Sequence, residues 1–124
     1  MTNDKTLILY GFNDKEERTI RKILMQDQLP ELLILKNSMA KMKISEIVSG
    51  VKYEIHDYKL PNEKVVLFYN FSDIELNKTF KEVKEAFIKM PICAVITDIS
   101  VNWTLEYLVK HLIEEKKWHE KQTK

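Results

Sequence analysis

The sequence predicts a small α/β domain: a doubly wound, parallel four-stranded sheet in the order 2-1-3-4, built from two βαβα repeats. Three observations carry that reading. Four short apolar runs alternate with four stretches of helical periodicity. The second half of the chain echoes the first. None of the apolar runs alternates cleanly with polar residues, the pattern of parallel strands buried on both faces.

The echo is read by setting Phe12 against Phe71, an offset of 59. Leu7, Ile8 and Leu9 then meet Val66, Leu67 and Phe68; Tyr10 meets Tyr69, Asp14 meets Asp73, and Glu16 meets Glu75. Farther on the offset becomes 61, a two-residue insertion in the second half. There Pro30 meets Pro91, and Ile44, Ile47 and Val48 meet Leu105, Leu108 and Val109. The 124 residues therefore read as one domain, 1–124, with pseudo-repeats at about 5–49 and 64–110 and a linker at 51–63.

Each element has its own support. The strands are TLILY (6–10), LLIL (32–35), KVVLFY (64–69) and ICAVIT (92–97). Helix one runs from about Asp14 to Gln28, with Ile20, Ile23 and Leu24 on one face. Helix two is short and stops at Gly50, a residue suited to the left-handed turn after a helix. Helix three follows Ser72 and carries Leu76, Phe80, Val83 and Phe87. Helix four starts near 102–104 and carries the stripe Leu105, Leu108, Val109, Leu112 and Ile113. Val51, Tyr53 and Ile55 alternate, which fits an edge strand at 51–58. With all strands parallel, a pseudo-twofold axis runs along the strands between the first and third. Right-handed crossovers then send the first helices of the halves to opposite faces. The alternative is a ferredoxin-like α+β duplication, whose sheet leaves one face bare of helices.

Composition sets outer bounds. Net charge is +1, spread evenly over both halves, which argues against a nucleic-acid partner. The lone Cys93 excludes an internal disulfide and a multi-thiolate metal site. No apolar run is long enough to span a membrane or to act as a signal peptide. These features lead us to expect a cytoplasmic protein.

In a 2-1-3-4 parallel sheet, the loops GFND (11–14) and NFSD (70–73) flank one crevice at the carboxyl edge of the strands, where open α/β sheets bind ligands. The expected ligand-binding residues are Gly11, Phe12 and Asn13 with Asn70, Phe71 and Ser72. Asp98, Asn102 and Trp103 join them from the segment between strand four and helix four. Much of the corner also has a plain structural explanation. Asn13/Glu16 and Ser72/Glu75 have capping-box spacing, and Phe71 with Leu76 makes a hydrophobic staple that Phe12 and Glu17 do not repeat. Trp103 aligns with Met42 and reads as a packing residue near helix three or the end of strand four. His111, Glu115 and His119 lie too far apart on one helix to share a metal. No catalytic residue, metal or cofactor is assigned.

The stretches LYGFNDKEE, VLFYNFSDIEL and ITDISVNWTLEYLVKHL, with a proline before a short strand, resemble a bacterial domain family of unknown function. The hallmark of that family is a strand ending in Gly-Phe-Ser, an acidic helix and a later Asn-x-x-Trp-Thr-Leu segment. The resemblance covers most of the chain. It departs at Asn70, where glycine is usual, and in the spacing of Asn102 and Trp103, which are adjacent. The family carries no established activity, so the resemblance implies none.

The leading reading is a noncatalytic binding or regulatory module that takes a small anionic ligand or a peptide in the crevice. One alternative is a small enzyme using Asp98 with Asn102 or Ser100. Another is a protein-interaction domain acting through helix four and the tail at 116–124.

Overall fold

The computed structural model describes residues 5–25, 31–51, 59–87 and 89–122. The elements follow the expected order: β1 (Thr6–Tyr10), α1 (Asp14–Met25), β2 (Glu31–Ile34), α2 (Ile44–Val48), β3 (Val65–Tyr69), α3 (Asp73–Ala86), β4 (Ile92–Val95) and α4 (Leu105–Gln122). Short 3-10 turns, Asn37–Met39 and Ser100–Asn102, precede α2 and α4. The edge strand expected at 51–58 lies outside the described residues beyond Val51, as does the end of helix one expected at 26–28.

The sheet has the order β2-β1-β3-β4, with β1 parallel to β2 and β3 parallel to β4. The centre departs from expectation, because β1 and β3 are antiparallel. The apolar runs had signalled burial on both faces, and both faces are indeed covered. Leu7, Leu9, Val66 and Phe68 point into a layer with Ile20 and Leu24 of α1 and Val83 of α3. Ile8, Tyr10, Val65 and Leu67 point the other way, into a larger layer with Ile44 and Ile47 of α2 and the buried stripe of α4. Burial on two faces requires two layers of helices. It does not fix strand direction, and that is where the all-parallel reading fails. The ferredoxin-like alternative fails too, since neither face is bare.

One reversal leads to others. α1 and α3 share a face instead of lying on opposite ones. Reversing β3 and placing β4 on its far side are two inversions, and together they return the crossover helix to the same face. The central register runs Thr6↔Tyr69, Leu7↔Phe68, Ile8↔Leu67, Leu9↔Val66 and Tyr10↔Val65. It is symmetric about Ile8–Leu67, residues that lie 59 apart. On the α2/α4 side, Ile44 N–H donates to the Trp103 carbonyl at 2.9 Å and Leu105 N–H to the Met42 carbonyl at 2.8 Å. Those bonds flank the bridge Lys43↔Thr104, residues 61 apart. The β1/β3 register and this bridge are both antiparallel. The axis expected along the strands does not occur.

The backbone leaves β1 and β3 in the same way. Gly11 has φ +87° and Asn70 φ +67°. Glycine reaches this left-handed region without strain, and asparagine tolerates it better than most residues. Gly11 carries a further constraint: a Cβ there would lie 2.0 Å from the Glu63 carbonyl oxygen, where the chain runs into β3. Gly50, at φ +85°, has open space around the equivalent position. Gly50→Ala is expected to cost only the left-handed strain, about 1–2 kcal/mol. Gly11→Ala should cost clearly more, because a backbone carbonyl must also move. Urea unfolding of both variants measures the difference, and equal losses would show that the close approach to Glu63 is unimportant.

Candidate functional site

Each strand-to-helix corner is held by its cap. Asn13 Oδ1 accepts the Glu16 N–H at 2.8 Å, and Asn13 N–H donates to Glu16 Oε1 at 3.0 Å. Ser72 and Glu75 repeat the exchange at 3.3 and 3.1 Å. These reciprocal bonds satisfy N–H groups that a helix start leaves open. α1 and α3 each begin at the next residue.

The antiparallel centre then gives each capping glutamate a partner from the opposite half. Lys64, just before β3, pairs with Glu16. Lys5, just before β1, pairs with Glu75 at 2.6 Å. Lys5 and Lys64 lie 59 residues apart, as do Glu16 and Glu75. Each glutamate thus closes a helix start and clamps it to the strand entering alongside. The Lys5 ammonium, followed by bonds from the Ser72 N–H and hydroxyl, lowers the Glu75 pKa to about 2. Lys64, then the Asn13 N–H, likewise holds Glu16 below the ordinary carboxylate range.

The same geometry separates the two corners. Tyr10 pairs with Val65 and Thr6 with Tyr69, so Gly11-Phe12-Asn13 and Asn70-Phe71-Ser72 lie at opposite ends of the sheet. The single crevice expected between them does not form. Asn70, Phe71 and Ser72 instead share an edge with Asp98, because β3 and β4 run together and Ile96 N–H bonds the Phe68 carbonyl. Phe71 turns inward, edge-on to Phe68 with centroids 5.3 Å apart.

Beyond β4 the polar side chains are engaged locally. The buried Ser100 Oγ accepts the Thr97 N–H at 2.9 Å, and Thr97 Oγ1 accepts the N–H groups of Ile99 and Ser100. The Asn102 amide donates to the Asp98 carbonyl at 3.3 Å. These bonds build the 3-10 turn. Trp103 is largely buried, as expected, and it packs on the α2/α4 side rather than near α3. Its ring meets Tyr107 and His111 edge-on, with centroids at 4.8 and 5.1 Å. Burial pushes the Cys93 thiol up to about 11, far from a reactive thiolate.

The first corner opens on a cleft of about 650 Å³ between α1, the entry to β3, and the chain from α3 into β4. Its lining mixes the apolar Phe12, Ala86, Phe87, Met90 and Pro91 with Lys15, Lys64, Lys89 and Lys116, against Glu16 and Glu63. Glu16 is paired with Lys64, and Glu63 with Lys116 at 3.7 Å. Among the described residues, Lys15 and Lys89 form no ion pair, and both are exposed. The first turn of α1 carries Asp14, Glu16 and Glu17, which offset the helix dipole there, so the positive charge of the lining comes from the lysines. Of the residues expected at the site, only Phe12 and Asn13 line it. Lys15, Lys64, Lys89 and Lys116 escaped sequence reasoning because four separate segments supply them. Lys15 next to the corner was the one available signal.

Residues 64–118 match the model of a domain of unknown function, DUF3783. The DUF3783 segment runs from the entry of β3 through most of α4, so it takes in the second corner and part of the cleft lining. Neither a curated protein nor a solved structure matches the chain. Among the described residues, no helix is long and apolar enough to cross a membrane.

Two predictions concern the corners. Asn13→Ala and Ser72→Ala should each lose about 1 kcal/mol, and the double variant the sum, since the sites are far apart. Chemical denaturation checks both values, and strong non-additivity would mean that the corners are coupled through the sheet. The second prediction concerns pH. A carboxylate with a lowered folded-state pKa stabilises fully above its unfolded pKa, and that contribution is lost as pH falls through the folded value. For Glu75 the loss spans the interval from 4.5 down to about 2. Unfolding curves across that window should show Glu75→Gln less sensitive to acid than the parent. Parallel curves would mean that the Lys5 clamp does not persist in solution.

Proposed function

We propose that the protein is a noncatalytic binding module whose ligand is a small anion held in the cleft beside the first corner. The observation that carries the reading is the pair of unpaired lysines, Lys15 and Lys89, in the lining of a cleft of ligand size. Comparison of the halves supports it. At the matching offsets, Lys15 corresponds to Ile74 and Lys89 to Gln28. Ile74 is 82% exposed, so packing does not dictate that position. The fold accepts isoleucine in the place that corresponds to Lys15, and that lysine therefore answers to something other than folding. We read the two halves as copies of one strand–helix–strand–helix unit, of which the first corner has gained the charge. We also read the chain as bacterial, from the family resemblance, and as cytoplasmic, from its single cysteine.

The enzyme reading through Asp98, Asn102 and Ser100 is less favoured, because the Ser100 hydroxyl and the Asn102 amide are engaged in the turn itself. A protein partner on α4 is the second reading, favoured by the exposed rings of Tyr107 and Trp118 on that helix.

Thermal unfolding with inorganic phosphate tests the anion reading, with chloride at matched ionic strength as the control. Phosphate should raise Tm, by an amount equivalent to about 2.7 kcal/mol at 100 times its Kd. Lys15→Ala/Lys89→Ala should remove most of the rise while leaving the phosphate-free Tm nearly unchanged. A rise that survives the double substitution places the anion elsewhere.

A further inference from the structure

The cleft lining is of two chemical kinds, apolar and cationic, and an inorganic anion would use only the second. Phe12 and Phe87 lie side by side in the lining, with centroids 5.7 Å apart and rings tilted by 42°. Both are half-buried, so part of each ring is open to the cleft. The corresponding position in the other half is built differently. Phe71, the counterpart of Phe12, is spent on the core ring of Phe68. Phe87 corresponds to Gln26, so the sequence repeats no second ring there. The aromatic pair therefore occurs with Lys15 and Lys89 at one end of the molecule, and none of the three residues Lys15, Phe87 and Lys89 has a like counterpart. Part-exposed rings in one lining with unpaired cations fit a ligand that has both characters.

Resting on the reading of the cleft as an anion site, we infer that its ligand is a phosphate carried on a flat ring, as in a nucleoside monophosphate or an aryl phosphate. The ring lies against Phe12 and Phe87, and the phosphate is held by Lys15 and Lys89. The volume of about 650 Å³ lies in the range of pockets that enclose ligands of this size. Lysine suits the anionic end as a mobile point charge, and the tilted phenylalanine pair suits a ring laid offset or edge-on.

Titrations of the full chain, followed by NMR, test the inference with four probes: inorganic phosphate, phenyl phosphate, adenosine 5′-monophosphate and adenosine. Phenyl phosphate should bind about three- to tenfold tighter than inorganic phosphate, the gain expected from one aromatic contact. Phe87→Leu should erase that margin and leave phosphate affinity unchanged. If the variant does not fold, ring-to-ring NOEs between phenyl phosphate and Phe87 in the parent decide instead. Equal gains for phenyl phosphate and the nucleotide support a nucleotide-class ligand, and a gain for phenyl phosphate alone supports an aryl phosphate. If both bind no tighter than inorganic phosphate, the ring inference is overturned and the anion reading stands. If no phosphate binds, both fall; adenosine binding alone would likewise overturn the role of the lysines.

Discussion

The antiparallel pairing of β1 with β3 governs the rest of the molecule. Its central residues, Ile8 and Leu67, are fully buried, and ten strand residues are committed to a single register around them. A slip by one residue would turn each inward side chain toward the other face. Both faces are packed, but with different partners, so the register is fixed by two unlike layers at once. That pairing brings Lys64 beside Glu16 and Lys5 beside Glu75, and it sends the two corners to opposite ends. It also brings the entry of β3 against Gly11 and into the lining of the cleft.

Much of this was legible in the sequence and some was not, for identifiable reasons. The apolar runs located the strands within a residue or two, and Ser72/Glu75 and Asn13/Glu16 located the starts of α3 and α1. Strand order followed from the repeat. Strand direction did not, since Val66 or Phe68 is equally buried whichever way β3 runs. Losing direction meant losing the site, because a crevice shared by Asn13 and Ser72 exists only in a parallel sheet. Asn70 shows a subtler miss. It was read as the loss of a glycine, whereas it keeps the same left-handed backbone with a different residue. Trp103 was placed by analogy with Met42. Met42 is almost fully enclosed, but an indole is too large for the same position and stays partly outside, against Tyr107 and His111.

The two ends of the molecule divide the work differently. At the β3/β4 end the polar groups of Thr97, Ser100 and Asn102 close on one another, and the phenylalanine turns into the core. At the other end the aromatic ring stays at the surface and two cations remain uncompensated. The DUF3783 match covers the half that supplies Lys64, Lys89, Lys116 and Phe87, while Phe12, Asn13 and Lys15 come from the other half. Neither half could assemble the cleft without its neighbour.

The central pairing also bears on how the chain finds its fold. β1 and β2 are joined through some 25 residues, as are β3 and β4, while the partners in the middle of the sheet lie 59 apart. Closing the longer loop adds just under 1 kcal/mol of chain entropy by the logarithmic rule. The thermodynamic penalty is small, yet contacts distant in sequence slow the search for the native state. The two parallel units are thus the local steps, and their zipping along Ile8 and Leu67 is the nonlocal one. Until that step, each unit presents an unpaired apolar strand edge, the surface most prone to pair with the wrong chain.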